Sequence, residues 1–128
     1  NLTESDVPGF TENPPDRGYH CKKALFLKIR ELADRAGFPV VVEGSNVDDL
    51  LDYRPGLKAL SELGIRSPLR EAGLKKQEIR ALSRERALPT FSKPSFACLA
   101  SRFVYGEEIT REKLFMVEQA ERLLFSCP

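Results

Sequence analysis

Apolar residues recur at helical spacing in the first third of the chain. Leu25, Ile29, Leu32, Ala33 and Ala36 are separated by four, three, one and three positions, which places them on one helical face. A helix is therefore predicted from Asp16, whose side chain suits an N-cap, to about Ala36, with Gly37 as its stop. Cys21 lies one turn before Leu25 and joins that inward face near the helix start. Residues 1–15 contain Pro8, Gly9, Pro14 and Pro15 and read as loop. Pro39-Val-Val-Val42-Glu43 is a short β-branched run suited to a buried parallel strand. Gly44-Ser-Asn46 with Asp48 and Asp49 forms a polar loop after it.

The rest of the chain is punctuated in the same way. Asp52-Tyr-Arg54-Pro-Gly56 reads as a turn. Leu57–Leu63 is predicted as a short helix that Gly64 ends, and Ile65–Leu69 as a brief strand or extended link, where Pro68 argues against a central strand. Lys75–Ala87 fits a helix with Ile79 and Leu82 inward and Arg80, Arg84 and Arg86 outward. Leu88–Phe96 is extended. Thr110 is an N-cap candidate, with Ile109 and Leu114 at the positions of a hydrophobic staple. The helix after it runs to about Phe125 and is expected to bury Val117, Ala120 and Leu124. Helix, strand and polar loop in succession make one unit of an α/β fold, in which ligands sit beyond the carboxyl ends of strands. That rule makes Gly44 to Asp49 a candidate binding edge, although an ordinary surface turn has the same composition.

Composition narrows the picture. The 128 residues carry a net charge of +1, so there is no global attraction to nucleic acid or membrane. No apolar run reaches the length of a membrane span, and no signal-peptide pattern is visible. Seven basic residues against three acidic ones between Arg66 and Arg86 fit a solvated helix face, or a surface for a phosphate-bearing partner. Three scattered cysteines, Cys21, Cys98 and Cys127, do not form a disulfide framework and fit a reducing cytoplasm. With His20 as the single histidine, neither a zinc site nor a Ser-His-Asp triad has its residues. The first residue is Asn1, and the helical pattern is unfinished at Pro128, so the chain reads as a piece of a longer protein. No repeat, low-complexity tract or second domain is evident.

The densest chemistry lies in Lys93–Gly106, KPSFACLASRFVYG. Cys98, Ser101 and Arg102 fall within five residues, between Pro94 and Gly106, which shape a loop. A thiol beside a fixed cation is how a reactive sulfur is made, because positive charge favours thiolate. A buried, inert cysteine next to a surface arginine has the same sequence. Ser101 and Arg102 together suit an anion, one by hydrogen bond and one by a charged fork. Glu43, Asp48, Asp49 and Asp52 suit Mg²⁺ equally with loop solvation. The glycines form neither GxGxxG nor GxxxxGK[ST], so this chain holds no self-contained phosphate loop.

The strings DYRPGLKA (52–59), Arg66-Ser-Pro-Leu69, Ile79-Arg80 and Cys98-Leu-Ala-Ser-Arg102-Phe with Tyr105-Gly106 resemble the LarE family. So do Asn13-Pro-Pro-Asp16-Arg, Tyr19 and Cys21-Lys-Lys23. The resemblance runs from about Pro8 to Leu124. It implies a partial α/β, Rossmann-like PP-loop (adenine nucleotide alpha hydrolase-like) domain and an ATP- and Mg²⁺-dependent sulfur transferase. In that family a pyridinium-3,5-biscarboxylic acid mononucleotide is adenylated on a carboxylate. A cysteine then attacks the acyl group and gives up its sulfur, becoming dehydroalanine, toward the nickel-pincer nucleotide cofactor of lactate racemase. Cys98 matches that cysteine. Ser101 and Arg102 match positions that bind substrate or nucleotide, and Gly44, Asn46 and Arg54 are the further candidates for that task.

Two departures qualify what the resemblance implies. The family's SGGxDS loop and its later substrate-phosphate residues have no counterpart in this chain, which alone is expected to be inactive. Relatives that hold an iron–sulfur cluster have a cysteine pair where this chain has Gly18 and Cys21. With Cys98, two thiolates remain, short of a cluster's usual set, and Cys127 matches no family position. The sacrificial route is thus expected, in a cytoplasmic enzyme that self-associates and uses a small nucleotide substrate, without nucleic acid or membrane. The alternatives are another PP-loop enzyme, for tRNA thiolation or amide formation, and a truncated module that binds without catalysis.

Overall fold

The computed structural model describes residues 7–126; Cys127 lies outside them. Helix α1 (Arg17–Arg35) is the spine. It is followed by a 3-10 helix (Val47–Leu51) and then by α2 (Gly56–Glu62), α3 (Pro68–Glu71) and α4 (Lys76–Glu85). A second 3-10 helix (Leu99–Arg102) and α5 (Arg111–Ser126) complete the order. None of the helices is long and apolar enough to cross a membrane, among the described residues.

Two small cores flank α1. Phe26 packs with Leu60 and Ile65, with Ile29, Val41, Leu57 and Leu63 at its edge. On the other side Val7, Phe10, Ala100, Phe103 and Ile109 form the second core, against which Cys21, Ala24, Leu114 and Val117 pack. The predicted inward stripe of α1 is therefore split and partly wrong. Ile29 packs as expected, but Leu25 and Leu32 are 45% and 54% exposed, and Ala36 is exposed. The helix turns Phe26 inward, because the partner on that side is α2.

Glycine sets how close α1 and α2 come. A Cβ at Gly56 would stand 3.1 Å from the Gly18 carbonyl oxygen and 2.6 Å from Lys22 Cδ, so a larger residue there forces the helices apart. Tyr19 Oη donates to Glu62 at 2.6 Å, and Lys23 Nζ reaches Tyr19 Oη at 2.7 Å and Glu62 at 3.1 Å. This polar clamp covers the outer edge of the contact. Helix α2 ends as predicted at Gly64, whose φ of 64° is the left-handed conformation that only glycine adopts without steric cost.

Asp16 stands at the start of α1 but its side chain makes no cap bond; it faces His20 Nε2 at 3.2 Å instead. By contrast the Thr110 hydroxyl accepts from the Lys113 amide at 3.2 Å, and Ile109 and Leu114 share the second core, which is the predicted cap and staple. Further along α5 the expectation fails. Ala120 is exposed, and Leu124 is 72% exposed, because the second core reaches only Leu114 and Val117. In α4, Leu82 is likewise exposed and Arg80 is tied to the Lys93 carbonyl at 2.9 Å.

The predicted strand at 39–43 is reduced to a parallel bridge between Val42 and Arg66. Its hydrogen bonds run from the Glu43 amide to the Arg66 carbonyl (2.9 Å) and from the Arg66 amide to the Val41 carbonyl (3.1 Å). The direction is parallel, but Val40 and Val42 are exposed rather than buried. A strand is covered on both faces only when helices pack on both sides of a wider sheet. Pro68 does not extend the link; it opens α3 at a position where its missing N–H costs nothing.

Candidate functional site

The segment after Ser92 approaches the second core through Ala100 and Phe103, and this fixes the Cys98 loop. Leu99–Arg102 closes into a 3-10 turn, in which the Ser101 amide donates to the Cys98 carbonyl at 2.9 Å and the Ser101 hydroxyl to the same oxygen at 2.7 Å. Arg102 Nη1 reaches the carbonyls of Ala97 (3.1 Å) and Cys98 (3.2 Å) and Ser101 Oγ (2.9 Å), while its Nε pairs with Glu121 on α5. The cation thus stitches the loop to α5. None of these bonds goes to the Cys98 sulfur.

Cys98 itself is exposed. It stands at the lip of a cleft of about 610 Å³. Phe10, Cys21, Leu25, Leu114 and Phe115 make its apolar walls, and Arg111 and Glu118 are its charged residues. A cleft of this size, mostly apolar with a few polar groups, has the form of a small-molecule site. An exposed thiol at its mouth has the access that nucleophilic attack requires. Cys98 is therefore not the buried core residue that its sequence also allowed. Leu25 also gains a setting here, since its exposed face on α1 is a wall of the cleft.

The polar loop after the bridge is built differently. Asn46 caps the first 3-10 helix: its Oδ1 accepts from the Asp48 amide at 2.9 Å, and Asp49 returns a bond to the Asn46 amide at 2.9 Å. This reciprocal box holds the loop in one shape. Arg54 pairs with Asp49 at 3.0 Å and Asp52 at 3.5 Å. Gly44 has open space where a Cβ would be, so a ligand can approach the backbone there. Gly44 and Asn46 thus precede the first 3-10 helix and Arg54 follows it, tied back to Asp49 within it, while Cys98, Ser101 and Arg102 share a separate loop. The Asn46 oxygen and the Arg54 charge are engaged within their own loop.

Beside Gly44 in the chain, half-buried Glu43 is the centre of a polar knot with the buried Ser45 and Ser67, partners that its reading as a Mg²⁺ ligand did not reveal. Glu43 accepts from the Ser45 amide (3.1 Å), the Ser45 hydroxyl (2.7 Å) and the Ser67 hydroxyl, and Lys22 Nζ lies 3.9 Å away. Burial alone would raise the Glu43 carboxyl. The Ser67 and Ser45 hydroxyls, the Ser45 amide and the Lys22 ammonium outweigh it and hold the carboxyl below its ordinary 4.5. The folded state then binds this proton more weakly than the unfolded chain. The stability that Glu43 contributes is complete above about pH 4.5 and lost as pH falls through the depressed folded value. Glu43→Gln is expected to flatten the acid limb of the stability–pH curve. Urea unfolding across pH should show the variant weaker at neutral pH and converging on the parent at the acid end; parallel curves would contradict this.

No group of three or more His, Cys, Asp or Glu side chains converges as a metal site among the described residues. The acidic residues proposed for Mg²⁺ are spent elsewhere. Asp48 accepts from the Lys76 amide at 2.9 Å, while Asp49 and Asp52 hold Arg54. These residues do not fit a resident Mg²⁺. Cys21 and Cys98 line the same cleft.

Sequence reasoning missed Asn13 and Arg17, both buried beneath the Cys98 loop, and it missed Glu121 as the partner of Arg102. The only available signal was the Asn13–Arg17 string within the family resemblance; burial of a charged residue cannot be seen in a linear pattern.

No family model matches the chain. Three curated proteins are similar to it. An uncharacterised protein of Synechocystis sp. is 49% identical over 114 residues, 89% of this chain and 42% of the relative. An uncharacterised protein of Methanocaldococcus jannaschii is 35% identical over 124 residues, 97% of this chain and 48% of the relative. The chain spans less than half the length of the curated relatives it matches. The third is the pyridinium-3,5-bisthiocarboxylic acid mononucleotide synthase of Lactiplantibacillus plantarum, 40% identical over 89% of this chain and 41% of its own length, and this match supports the LarE resemblance.

Proposed function

We propose that this chain is part of a LarE-type sulfur transferase, an enzyme in which Cys98 supplies the sulfur placed on a pyridinium carboxylate nucleotide. The observation that carries the reading is the position of Cys98, an exposed thiol at the lip of a largely apolar cleft, in a chain similar to a bisthiocarboxylic acid mononucleotide synthase. The fold proposed with it is a partial Rossmann-like PP-loop domain, a reading with which the parallel direction of the Val42–Arg66 bridge agrees.

The chemistry follows from the electrophile. ATP adenylates the substrate carboxylate and pyrophosphate leaves. The Cys98 thiolate attacks the acyl carbon, AMP departs with the electron pair of the C–O bond, and a thioester joins substrate to protein. Removal of the Cys98 Cα proton then expels the sulfur with the electron pair of the Cβ–S bond. The products are a substrate thiocarboxylate and dehydroalanine at position 98. Arg102 and Ser101, bound to the Cys98 carbonyl, hold the loop in place for attack. The open backbone at Gly44 and the rigid Asn46 turn provide the edge for the nucleotide, with Arg54 beside it.

Intact-mass measurement of the whole protein after one turnover tests this. The expected result is a loss of about 34 Da, one H₂S, mapped to Cys98 by peptide sequencing. Unchanged mass over many turnovers would assign the sulfur to an outside donor and overturn the reading.

A further inference from the structure

We propose that Arg17 and Asn13 form a hook that positions the Cys98 loop over its cleft, a role that rests on Cys98 being the reacting group. Arg17 is 8% exposed and Asn13 fully buried. Burying a guanidinium is costly unless its hydrogen bonds are met. Arg17 nevertheless forms no ion pair among the described residues: its Nη1 donates to Asn13 Oδ1 and, at 2.9 Å, to the Ala100 carbonyl. Both acceptors are neutral, so the charge is spent on holding the backbone two residues beyond Cys98.

Asn13 completes the hook. Its Nδ2 donates to the Val104 carbonyl at 2.7 Å, and its own carbonyl accepts from the Gly106 amide at 2.8 Å. The Ile109 amide donates to the Thr11 carbonyl at 2.9 Å. The segment after Cys98 is thus fastened at Ala100, Val104, Gly106 and Ile109 to residues 11–17. Arg17 is also the first residue of α1, and Cys21, one turn on, lines the cleft. One short stretch therefore ties the loop carrying the thiol to the helix forming the cleft wall. Geometry of this kind matters for attack on an acyl carbon, where a misplacement of about 1 Å costs on the order of 10²-fold in rate.

The test compares Arg17→Met and Asn13→Gly in the otherwise unaltered protein. Glycine keeps the left-handed backbone of Asn13, whose φ is 49°, and removes its whole side chain, the carboxamide with its Cβ. Amide exchange across 98–109 should quicken at least about tenfold while the first core, 57–65, keeps its protection, the pattern of local rather than global opening. Single-turnover sulfur transfer should fall about 10- to 100-fold with the nucleotide KM unchanged, and Arg17→Lys should restore part of it. Unchanged protection at 98–109 in both variants would overturn the hook. So would protection lost equally in both cores, or a raised KM at constant kcat. If Arg17→Met does not fold, Asn13→Gly decides alone. Transfer surviving in Cys98→Ala would defeat the proposed function instead, and the exchange comparison would still decide whether the hook sets the loop.

Discussion

Cys98→Ala is expected to abolish sulfur transfer, a loss of about 10³-fold or more, because the proposed reaction consumes the Cys98 sulfur itself. Nucleotide binding should remain largely intact. The fold should be untouched as well: Cys98 is exposed and its side chain packs in neither core, and exposed substitutions of this kind stay within about 0.5 kcal/mol. Cys98→Ser sharpens the result. It keeps the size and polarity, but a hydroxyl is a weak nucleophile at neutral pH and brings no sulfur. The measurement is thiocarboxylate product by mass spectrometry, alongside calorimetric nucleotide binding. Product formed at the parent rate by Cys98→Ala would remove Cys98 from the reaction, whatever its place at the cleft.

The largest effect on stability is expected at Leu60. It is fully buried on α2 between Phe26 of α1 and Ile65 beside the parallel bridge. Leu60→Ala removes buried methyl groups and leaves a cavity, which costs about 2–5 kcal/mol. That is a large share of the roughly 5–15 kcal/mol typical of a domain. The urea midpoint should fall with an unchanged slope. Leu51→Ala, at a site 88% exposed, is the control and should barely move it. A Leu60→Ala midpoint equal to the parent's would mean that the Phe26–Leu60–Ile65 cluster does not hold α1 to α2.

Local signals were legible where one short stretch contains its own cause. Thr110 caps α5 and Gly64 ends α2 because cap and stop are decided by neighbouring residues. The 98–102 cluster was likewise visible as chemistry, since its residue types stand side by side. Burial was not legible. Leu124 and Leu82 have the periodicity of core residues yet face outward, and Arg17, which looks like a surface charge, is bound to the Ala100 carbonyl, 83 residues away.

The linear order of residues by itself determined α1, α2, α4 and α5 with their approximate ends, though not α3 or the two 3-10 helices, and the cysteine–serine–arginine string with its likeness to a sulfur-transfer family. Only the tertiary structure decided which face of α1 meets α2, that Arg102 is spent on carbonyls and Glu121, and that Cys98 opens onto a cleft shared with Cys21. The division has one physical cause. Backbone propensity and capping act over a few residues, whereas exposure, charge pairing and cavity shape depend on which distant segments a folded chain brings together.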